Sequence, residues 1–329
     1  MATGYVKSDL VTVFGGSGFV GRHVVQALAK RGYRVRVAVR RPDLAGFLQP
    51  LGAVGQIHAV QANIRNRASI DRAVAGSDVV VNLVGILYET GKQSFDAVQA
   101  FGPGAIAAAA KAAGAKRFVQ VSSIGADPDS PSHYARSKAA GEAAVLKAFP
   151  EAVILRPSIV FGPEDDFFNR FASMARIAPA LPLIGGGLTR FQPVFVGDVA
   201  EAVALGVDGK AKPGTVYELG GPEIETFKEL LERVLAETGR KRILAPLPFG
   251  VARIQAYFLQ LLPKPPLTVD QLRQLARDNV VSEAAIAEHR TIADLGIEPQ
   301  AMAAILPTYL SRYRRAGQFS APDHTTPET

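Results

Sequence analysis

Residues 11–21 read Val-Thr-Val-Phe-Gly-Gly-Ser-Gly-Phe-Val-Gly, and this stretch decides the fold. Its apolar start is typical of a buried strand, and the amphipathic residues from about Gly18 to Arg31 are typical of a helix. The glycines between them fit both G-x-G-x-x-G and G-x-x-G-x-x-G, spacings that let the backbone approach a pyrophosphate at the helix N-terminus. A purely structural glycine turn is the competing interpretation. The turn residues expected to contact a dinucleotide are Gly15, Gly16, Ser17, Gly18, Phe19, Val20 and Gly21.

Strand and helix patterns continue to alternate along the first half of the chain. The runs rich in β-branched residues are 34–39, 58–62, 79–83, 118–121 and 153–155. An alanine-rich stretch of high helix propensity covers residues 105–115. Strands separated by helices imply right-handed crossovers and a parallel sheet. We therefore predict an α/β fold, a doubly wound parallel sheet of the Rossmann type with a smaller, mostly helical C-terminal lobe.

The pattern loosens after Gly162 and Pro163, which indicates a boundary between two lobes. We assign residues 1–162 to the dinucleotide-binding domain and residues 163–315 to an interleaved C-terminal lobe. Strands near residues 194–196 and 216–219 are expected to return from this lobe to the main sheet. The Pro- and Thr-rich residues 316–329 are expected to form a disordered tail.

Composition excludes several classes of function. The chain has 329 residues, and no apolar run approaches the roughly 18 residues of a membrane-spanning helix. Because there is no cysteine, disulfide frameworks, thiolate nucleophiles and iron–sulfur sites are excluded, and the dispersed histidines predict no metal site. The net charge of +7 is concentrated near residues 31–41, which fits an anionic small ligand better than a nucleic acid.

The end of the second predicted strand indicates which dinucleotide binds. A site for NAD(H) usually carries an acidic residue about 20 positions after the glycine turn, where it accepts from the ribose 2′-hydroxyl. Arg40 and Arg41 stand there instead, and the first carboxylate is Asp43. Guanidinium groups bind a 2′-phosphate through charge-assisted hydrogen bonds, so we predict NADPH or its oxidised form, NADP, as the cofactor. A solvated basic strand end is the alternative.

Two further strand ends are candidate cofactor contacts. Asn63 and Ile64 follow the third predicted strand, where an adenine contact often stands in related folds. Leu83, Val84 and Gly85 follow the fourth, and the small glycine there lets a cofactor pass closely. An ordinary strand-to-helix turn explains either group about as well.

Tyr134 and Lys138 lie four residues apart, on one face of a predicted helix over residues 134–147. A phenol with a pKa near 10 works as an acid or base near neutrality only if a cation stabilises the phenolate. Ser122 and Ser123 close the fifth predicted strand, where a hydroxyl could polarise a substrate carbonyl. If the chain is an active enzyme, its candidate catalytic residues are therefore Ser123, Tyr134 and Lys138. Ser122 is a candidate cofactor contact.

These motifs, with Leu155-Arg156-Pro157-Ser158 and the residues after it, resemble the extended short-chain dehydrogenase/reductase superfamily over residues 10–235. Within it, the chain is most similar to the nucleotide-binding accessory subunits of respiratory complex I and their bacterial relatives. That narrower resemblance rests on the Arg40-Arg41 strand end and on runs 82–85, 121–126 and 191–200. It implies tightly held NADPH, cofactor contacts that include Pro157, and a position near the junction of the peripheral and membrane arms.

Several departures from the catalytic pattern accompany the resemblance. Active extended members usually place their catalytic serine or threonine one position beyond the Ser-Ser pair, where this chain has Ile124. Gly197 also replaces the acidic or histidine residue common before the following Asp-Val-Ala segment. Tyr134 and Lys138 are then expected to hold the nicotinamide ribose. The resemblance therefore implies a subunit with no known turnover of its own.

The segment from Phe249 to Leu262 is apolar except for Arg253 and is bounded by prolines. Val251, Ile254, Phe258 and Leu261 recur at helical spacing, which fits a core helix and a docking surface equally well. If the chain is a complex I subunit, we expect this segment to contact the membrane surface or a membrane-arm subunit.

Three functions compete at this stage. The first is a non-catalytic NADP(H)-binding accessory subunit of complex I, with a structural or assembly role. The second is an active NADPH-dependent reductase or epimerase on a small or lipophilic substrate, and the third is an NADP(H)-sensing regulator. Residues 1–9 are too short and polar for a signal peptide, so we expect a peripheral protein on the cytoplasmic face of a bacterial inner membrane.

Overall fold

The computed structural model describes residues 8–315 and residue 317. The strands are β1 (Leu10–Phe14), β2 (Arg34–Val39), β3 (Ile57–Gln61), β4 (Val79–Asn82), β5 (Arg117–Val121), β6 (Val153–Pro157), β7 (Val160–Phe161), β8 (Ala180–Ile184), β9 (Arg190–Phe191), β10 (Val194–Phe195), β11 (Val216–Leu219), β12 (Glu225–Thr226) and β13 (Ile243–Leu247). The helices are α1 (Phe19–Lys30), α2 (Arg67–Val74), α3 (Gly102–Ala112), α4 (His133–Ala148), α5 (Phe168–Ile177), α6 (Val196–Asp208), α7 (Phe227–Thr238), α8 (Phe249–Leu259), α9 (Val269–Leu275), α10 (Glu283–Ala287) and α11 (Met302–Leu310). A 3-10 segment, Pro42–Leu51, follows β2, and a π-helical turn, Asp96–Phe101, precedes α3.

Seven parallel strands form the main sheet in the order β11-β6-β5-β4-β1-β2-β3. Val13 of β1 lies between Val37 of β2 and Val81 of β4, and all three side chains are fully buried. The sheet extends to one side of β1 through β2 and β3 and to the other through β4. Ligands of open α/β sheets bind at the carboxyl ends of the strands where the order reverses in this way. The predicted doubly wound parallel sheet is confirmed.

The chain divides into two compact units. The first contains residues 8–157, 196–219 and 281–298, and the second contains residues 158–195, 220–280 and 299–315 with residue 317. The tail expected over residues 316–329 lies, apart from Gly317, outside the described residues.

One predicted strand does not join the main sheet. Val194 and Phe195 pair in parallel with Val160 and Phe161 in a separate two-stranded sheet, so the expected return near 194–196 is wrong. The physical reason is length: β10 has two residues, and α6 begins at Val196 directly after it. β11, in contrast, pairs with β6 at the edge of the main sheet.

Small residues bring α4 close to its neighbours in the first unit. A Cβ at Gly141 of α4 would overlap the carbonyl oxygen of Gln99, and one at Gly104 of α3 would lie 2.8 Å from Cβ of Ala144. The core beneath contains the fully buried side chain of Ile106 and the buried rings of Phe118 and Phe149. This packing fixes the position of α4, which carries Tyr134 and Lys138.

In the second unit, α8 packs through its smallest side chains. Ala252 and Ala256 are fully buried in a core that also includes Phe168, Leu231 and Leu306. Six of the larger apolar side chains in α8 and just after it are exposed. We call them the α8 face: Val251, Ile254, Tyr257, Phe258, Leu261 and Leu262. In the described part of the chain, no helix is both long and apolar enough to cross a membrane.

Candidate functional site

The glycine turn lies at the carboxyl end of β1, where the strand order reverses. Gly15 has φ +79°, in the left-handed region that favours glycine, and its N–H donates to the carbonyl of Ala38 at 3.3 Å. The N–H of Gly18 donates to the Gly15 carbonyl at 3.0 Å. A Cβ at Gly21 would overlap that same carbonyl oxygen and would lie 2.7 Å from Cα of Gly16. Helix α1 therefore packs so closely on the turn that only glycine fits at position 21.

The first turn of α1 has no side-chain cap among the described residues. Gly18, the residue before the helix, is extended and exposed, and Ser17, Phe19 and Val20 beside it are half-buried. The first amides of a helix lack partners within the helix and carry partial positive charge, so they bind phosphate groups. The sequence-predicted turn thus presents its backbone amides at the carboxyl edge of the sheet.

The end of β4 lies directly against the turn. A Cβ at Gly15 would lie 3.2 Å from the amide nitrogen of Val84 and 3.3 Å from the carbonyl carbon of Leu83. One residue further, a Cβ at Gly85 would lie 3.4 Å from Nζ of Lys138. The structure therefore brings the turn, residues 83–85 and Lys138 into one continuous edge.

Tyr134 and Lys138 lie in the first turns of α4, which Ser132 caps by accepting from the N–H of Ala135 at 3.3 Å. Lys138 is buried, and its Nζ lies 5.7 Å from the centroid of the Tyr134 ring. Phe95 contacts the same ring edge-on, at 5.8 Å between centroids. The Lys138 ammonium has neither a hydrogen bond nor an ion pair with any described residue. A buried cation in this state is unfavourable alone and suits a hydroxyl-bearing ligand.

Ser122 and Ser123 follow β5 at the same edge, and both hydroxyl oxygens are buried without a hydrogen-bond partner in the described structure. Leaving a buried hydroxyl unpaired costs about 1–3 kcal/mol, so this pair fits contact with a polar ligand. The next residue, Ile124, is buried, and its N–H donates to the carbonyl of Pro157 at 3.0 Å. The position expected to carry a catalytic hydroxyl in active members therefore holds an apolar side chain.

The two arginines after β2 are exposed and engaged differently. Nη1 of Arg40 donates to Oε1 of Gln93 at 2.5 Å. Arg41 forms a two-pronged pair with Asp43, with Nε 3.0 Å from Oδ1 and Nη2 2.7 Å from Oδ2. Both guanidinium groups are accessible to a ligand, and sequence reasoning missed the pairing of Arg41.

Asn63 and Ile64 follow β3 but have local roles. The Asn63 side-chain oxygen accepts from the N–H of Arg65 at 3.1 Å, and the Asn63 N–H donates to the hydroxyl of Ser69 at 3.0 Å. Ile64 packs against the start of α3, where a Cβ at Gly102 would lie 2.9 Å from its Cδ1. Their expected contact with adenine stays a prediction.

Sequence reasoning also missed a set of buried amides beneath the edge. Gln99 accepts from the N–H of Ile86 at 3.2 Å and donates to the Ser137 hydroxyl at 3.1 Å. Asn82 and Gln120 are paired across β4 and β5 at 2.9 Å. The second pair could have been predicted, because Asn82 and Gln120 are each a polar amide within an otherwise apolar strand. Gln99 has no local signal, because its partner Ser137 is 38 residues away.

A buried ion network supports α4 one turn beyond Lys138. Arg156 donates from Nε and Nη2 to Glu142 at 2.9 and 2.6 Å, and its Nη1 lies 3.6 Å from Glu218. Burial lowers the pKa of Arg156, but Glu142 and Glu218 outweigh this, so the net pKa is raised. Glu218 also accepts from the N–H of Ser282 at 2.8 Å. The network ties α4, β6 and β11 together within the first unit.

Residues 11–220 match the model of the NAD dependent epimerase/dehydratase family. The chain belongs to this family. The match spans the glycine turn, the Tyr134–Lys138 pair and the strands that position them. The expected membership of the extended short-chain superfamily is thereby confirmed, and it supports binding of a nicotinamide dinucleotide. Which residues hold the dinucleotide stays a prediction.

Several curated proteins are similar to more than half of the chain. "NADH dehydrogenase [ubiquinone] 1 alpha subcomplex subunit 9, mitochondrial" of Arabidopsis thaliana is 38% identical over 95% of this chain and 80% of its own length. The "NADH-ubiquinone oxidoreductase 40 kDa subunit, mitochondrial" of Neurospora crassa is 33% identical over 96% and 83%. A "Ceramide reductase" of Caulobacter vibrioides is 37% identical over 58% of each chain. The expected resemblance to complex I subunits is confirmed.

A solved structure has the same fold. A dTDP-glucose 4,6-dehydratase from Streptomyces venezuelae, with NAD and TYD bound, superposes with a TM-score of 0.70 at 21% identity. The alignment covers 94% of this chain and 98% of that one. At this identity the likeness shows the fold alone.

Proposed function

We propose that this chain is an accessory subunit of respiratory complex I, the NADH:ubiquinone oxidoreductase, and that it holds NADP(H) without turning it over. One observation carries the proposal. An edge equipped along its length to hold a dinucleotide has the buried Ile124 at the position where active members are expected to carry a catalytic hydroxyl. The relatives that match nearly the whole chain are named as complex I subunits, which supports the same assignment.

Different residues of the edge would bind different parts of the cofactor. The amides at the start of α1 would bind the pyrophosphate, and Arg40 and Arg41 the 2′-phosphate. The Tyr134 hydroxyl and the Lys138 ammonium would bind the nicotinamide ribose, and Ser122 and Ser123 would gain partners for their buried hydroxyls. A bound nicotinamide ring supplies hydride chemistry. In this proposal Tyr134 and Lys138 hold and orient the cofactor and move no proton to a substrate.

We also propose that the α8 face contacts the membrane surface. The assignment puts the chain near the junction of the peripheral and membrane arms, on the cytoplasmic face of a bacterial inner membrane. Ile254, Phe258 and Leu261 lie at helical spacing and are 64%, 64% and 76% exposed. Contiguous apolar patches of this kind are rare on soluble monomers and common at interaction sites.

Native purification tests the assignment to complex I. The tagged full chain, expressed in its own host, is expected to co-migrate with the quinone-reducing membrane complex and to release NADP(H) when denatured. The Tyr134→Phe variant should still assemble and should lose no more than about tenfold in nucleotide affinity, the value of one hydrogen bond. A free pool of chain that never enters the complex would overturn the proposal.

A working reductase is the second candidate. The relative named ceramide reductase and the intact Tyr134–Lys138 pair favour it, and a lipophilic carbonyl compound is the corresponding substrate class. Here Tyr134 would donate the proton, so Tyr134→Phe would abolish NADPH oxidation with such a substrate. Oxidation by the wild-type chain that disappears in this variant would establish the reductase and contradict a purely cofactor-holding role.

A further inference from the structure

We propose that Asp43 determines nucleotide specificity by competing with the 2′-phosphate for Arg41, which leaves the site able to accept NAD(H) as well as NADP(H). This inference rests on the proposed NADP(H) site. The inference predicts a different nucleotide preference from the two arginines alone. Without Asp43, two arginines predict a strong preference for the phosphorylated nucleotide. Asp43 reduces this preference for the phosphorylated nucleotide.

The geometry puts the carboxylate on the guanidinium face that a phosphate needs. Nε and Nη2 of Arg41 point to the two oxygens of Asp43, at 3.0 and 2.7 Å. This is the paired arrangement that guanidinium groups use for phosphate. A 2′-phosphate therefore binds Arg41 in the same way only after displacing Asp43.

Displacement is feasible because the pair is exposed. The side chains of Arg41 and Asp43 are 67% and 57% accessible, and exposed ion pairs contribute little to stability. A phosphate monoester carries up to two negative charges and three acceptor oxygens, so it outcompetes a single carboxylate. Asp43 thus lowers the affinity for NADP(H) without preventing its binding.

The carboxylate remains near the site after Arg41 turns away. Pro42 separates the two residues and begins the 3-10 segment, and Asp43 lies in the first turn of that segment. The hydrogen bond from Arg41, with smaller contributions from the backbone of Asp43 and Leu44, holds the pKa of the Asp43 carboxyl below its usual value. An aspartate carboxyl is charged at neutral pH whether or not Arg41 is paired with it. A charged carboxylate at this strand end repels a 2′-phosphate and accepts a hydrogen bond from a 2′-hydroxyl.

Arg40 is in a different situation. Its guanidinium donates to the neutral side chain of Gln93, and no carboxylate is paired with it among the described residues. Arg40 therefore offers its charge to a phosphate without competition. The two adjacent arginines have unequal roles, and only the contribution of Arg41 depends on Asp43.

The test is calorimetric titration of the purified full chain with NADPH and with NADH. Asp43→Asn keeps the size of the side chain and removes its charge, so it should strengthen NADPH binding about three- to fivefold and leave NADH binding unchanged or weaker. The gain should shrink at 1 M salt, where the Debye length is about 3 Å. In the double variant Asp43→Asn/Arg41→Gln the gain should disappear.

Glu151→Gln is the matched control. It also removes one carboxylate from an exposed pair, with Lys111 at 3.3 Å, just before β6 at the opposite end of the sheet. It should leave the preference unchanged. An Asp43→Asn variant whose preference stays within twofold of wild type, or that weakens NADPH binding, overturns the role of Asp43. A wild-type chain that binds neither nucleotide overturns the proposed NADP(H) site instead, whatever the Asp43 variant does.

Discussion

Side chains are excluded at the glycine turn, whereas at the α8 face they are left uncovered. At the turn, a Cβ on Gly21 would overlap backbone, and at the same edge the hydroxyls of Ser122 and Ser123 are buried with no hydrogen-bond partner in the part of the chain that the structure describes. On α8, the buried positions are the alanines Ala252 and Ala256, and the large apolar side chains point outward.

The difference shows which structural features the protein needs for each kind of ligand. A small charged ligand needs close backbone approach and polar atoms whose hydrogen bonds the protein leaves open. A membrane needs apolar area that the chain does not itself cover, and it tolerates changes in side-chain shape. Substitutions at the turn should therefore weaken nucleotide binding through steric overlap. Substitutions on α8 should weaken membrane binding through the loss of apolar surface.

The largest effect is expected at the turn. Gly21→Ala forces the new methyl group against the Gly15 carbonyl and should cost about 1–3 kcal/mol of unfolding free energy. It should also weaken NADPH binding at least about 100-fold, the equivalent of roughly 2.7 kcal/mol. Denaturant unfolding and calorimetric titration measure the two losses.

Gly46→Ala is the control for steric specificity. Gly46 has ordinary backbone geometry and open space where a Cβ would stand, so both quantities should stay near wild type. Equal losses in the two variants would show that close packing at the turn is not what the site requires.

A smaller effect is expected on α8. Phe258→Asp removes an exposed apolar side chain, and it should reduce binding to anionic phosphatidylglycerol vesicles about tenfold or more. Unfolding free energy should change by no more than about 0.5 kcal/mol, because the side chain is on the surface. Vesicle co-sedimentation measures the binding.

Gln255→Asp adds the same charge to an exposed polar position of the same helix. It should lose less binding than Phe258→Asp if apolar contact dominates. Vesicle binding that survives Phe258→Asp unchanged contradicts the proposed membrane contact.

The smallest effects are expected at two buried serines, Ser122 and Ser137, whose alanine variants should change the stability of the chain in opposite directions. Ser122→Ala removes a buried hydroxyl that has no partner among residues 8–315 and 317, so the cofactor-free chain should become more stable by up to about 1 kcal/mol while NADPH binding weakens. Ser137→Ala should instead destabilise the chain, because that hydroxyl donates to the Tyr134 carbonyl at 2.7 Å and accepts from Gln99. Thermal unfolding with and without NADPH tests both, and a stability loss in Ser122→Ala contradicts the open-hydroxyl interpretation.

The sequence predicted the elements whose signals are local. The strand, turn and helix around Gly15 and Gly21 follow from hydrophobic period and glycine spacing, which act over a few residues. Contacts set by tertiary packing were out of reach: the two-residue β10 pairs with distant β7, and Gln99 meets Ser137, 38 residues away, only in the folded chain. For α8, apolar spacing alone could not separate core from surface. The small size of Ala252 and Ala256 decides which face is buried.

The hydroxyls of Ser122 and Ser123 and the ammonium of Lys138, which have no hydrogen-bond partner among the described residues, have a consequence for the protein in the cell. A chain folded around unsatisfied groups gains stability when its nucleotide binds, by about 2.7 kcal/mol at a concentration 100 times the dissociation constant. Molecules that lose their nucleotide unfold more often and are degraded sooner. The lifetime of the polypeptide should therefore follow the supply of reduced and oxidised pyridine nucleotide, so that starved cells keep fewer copies.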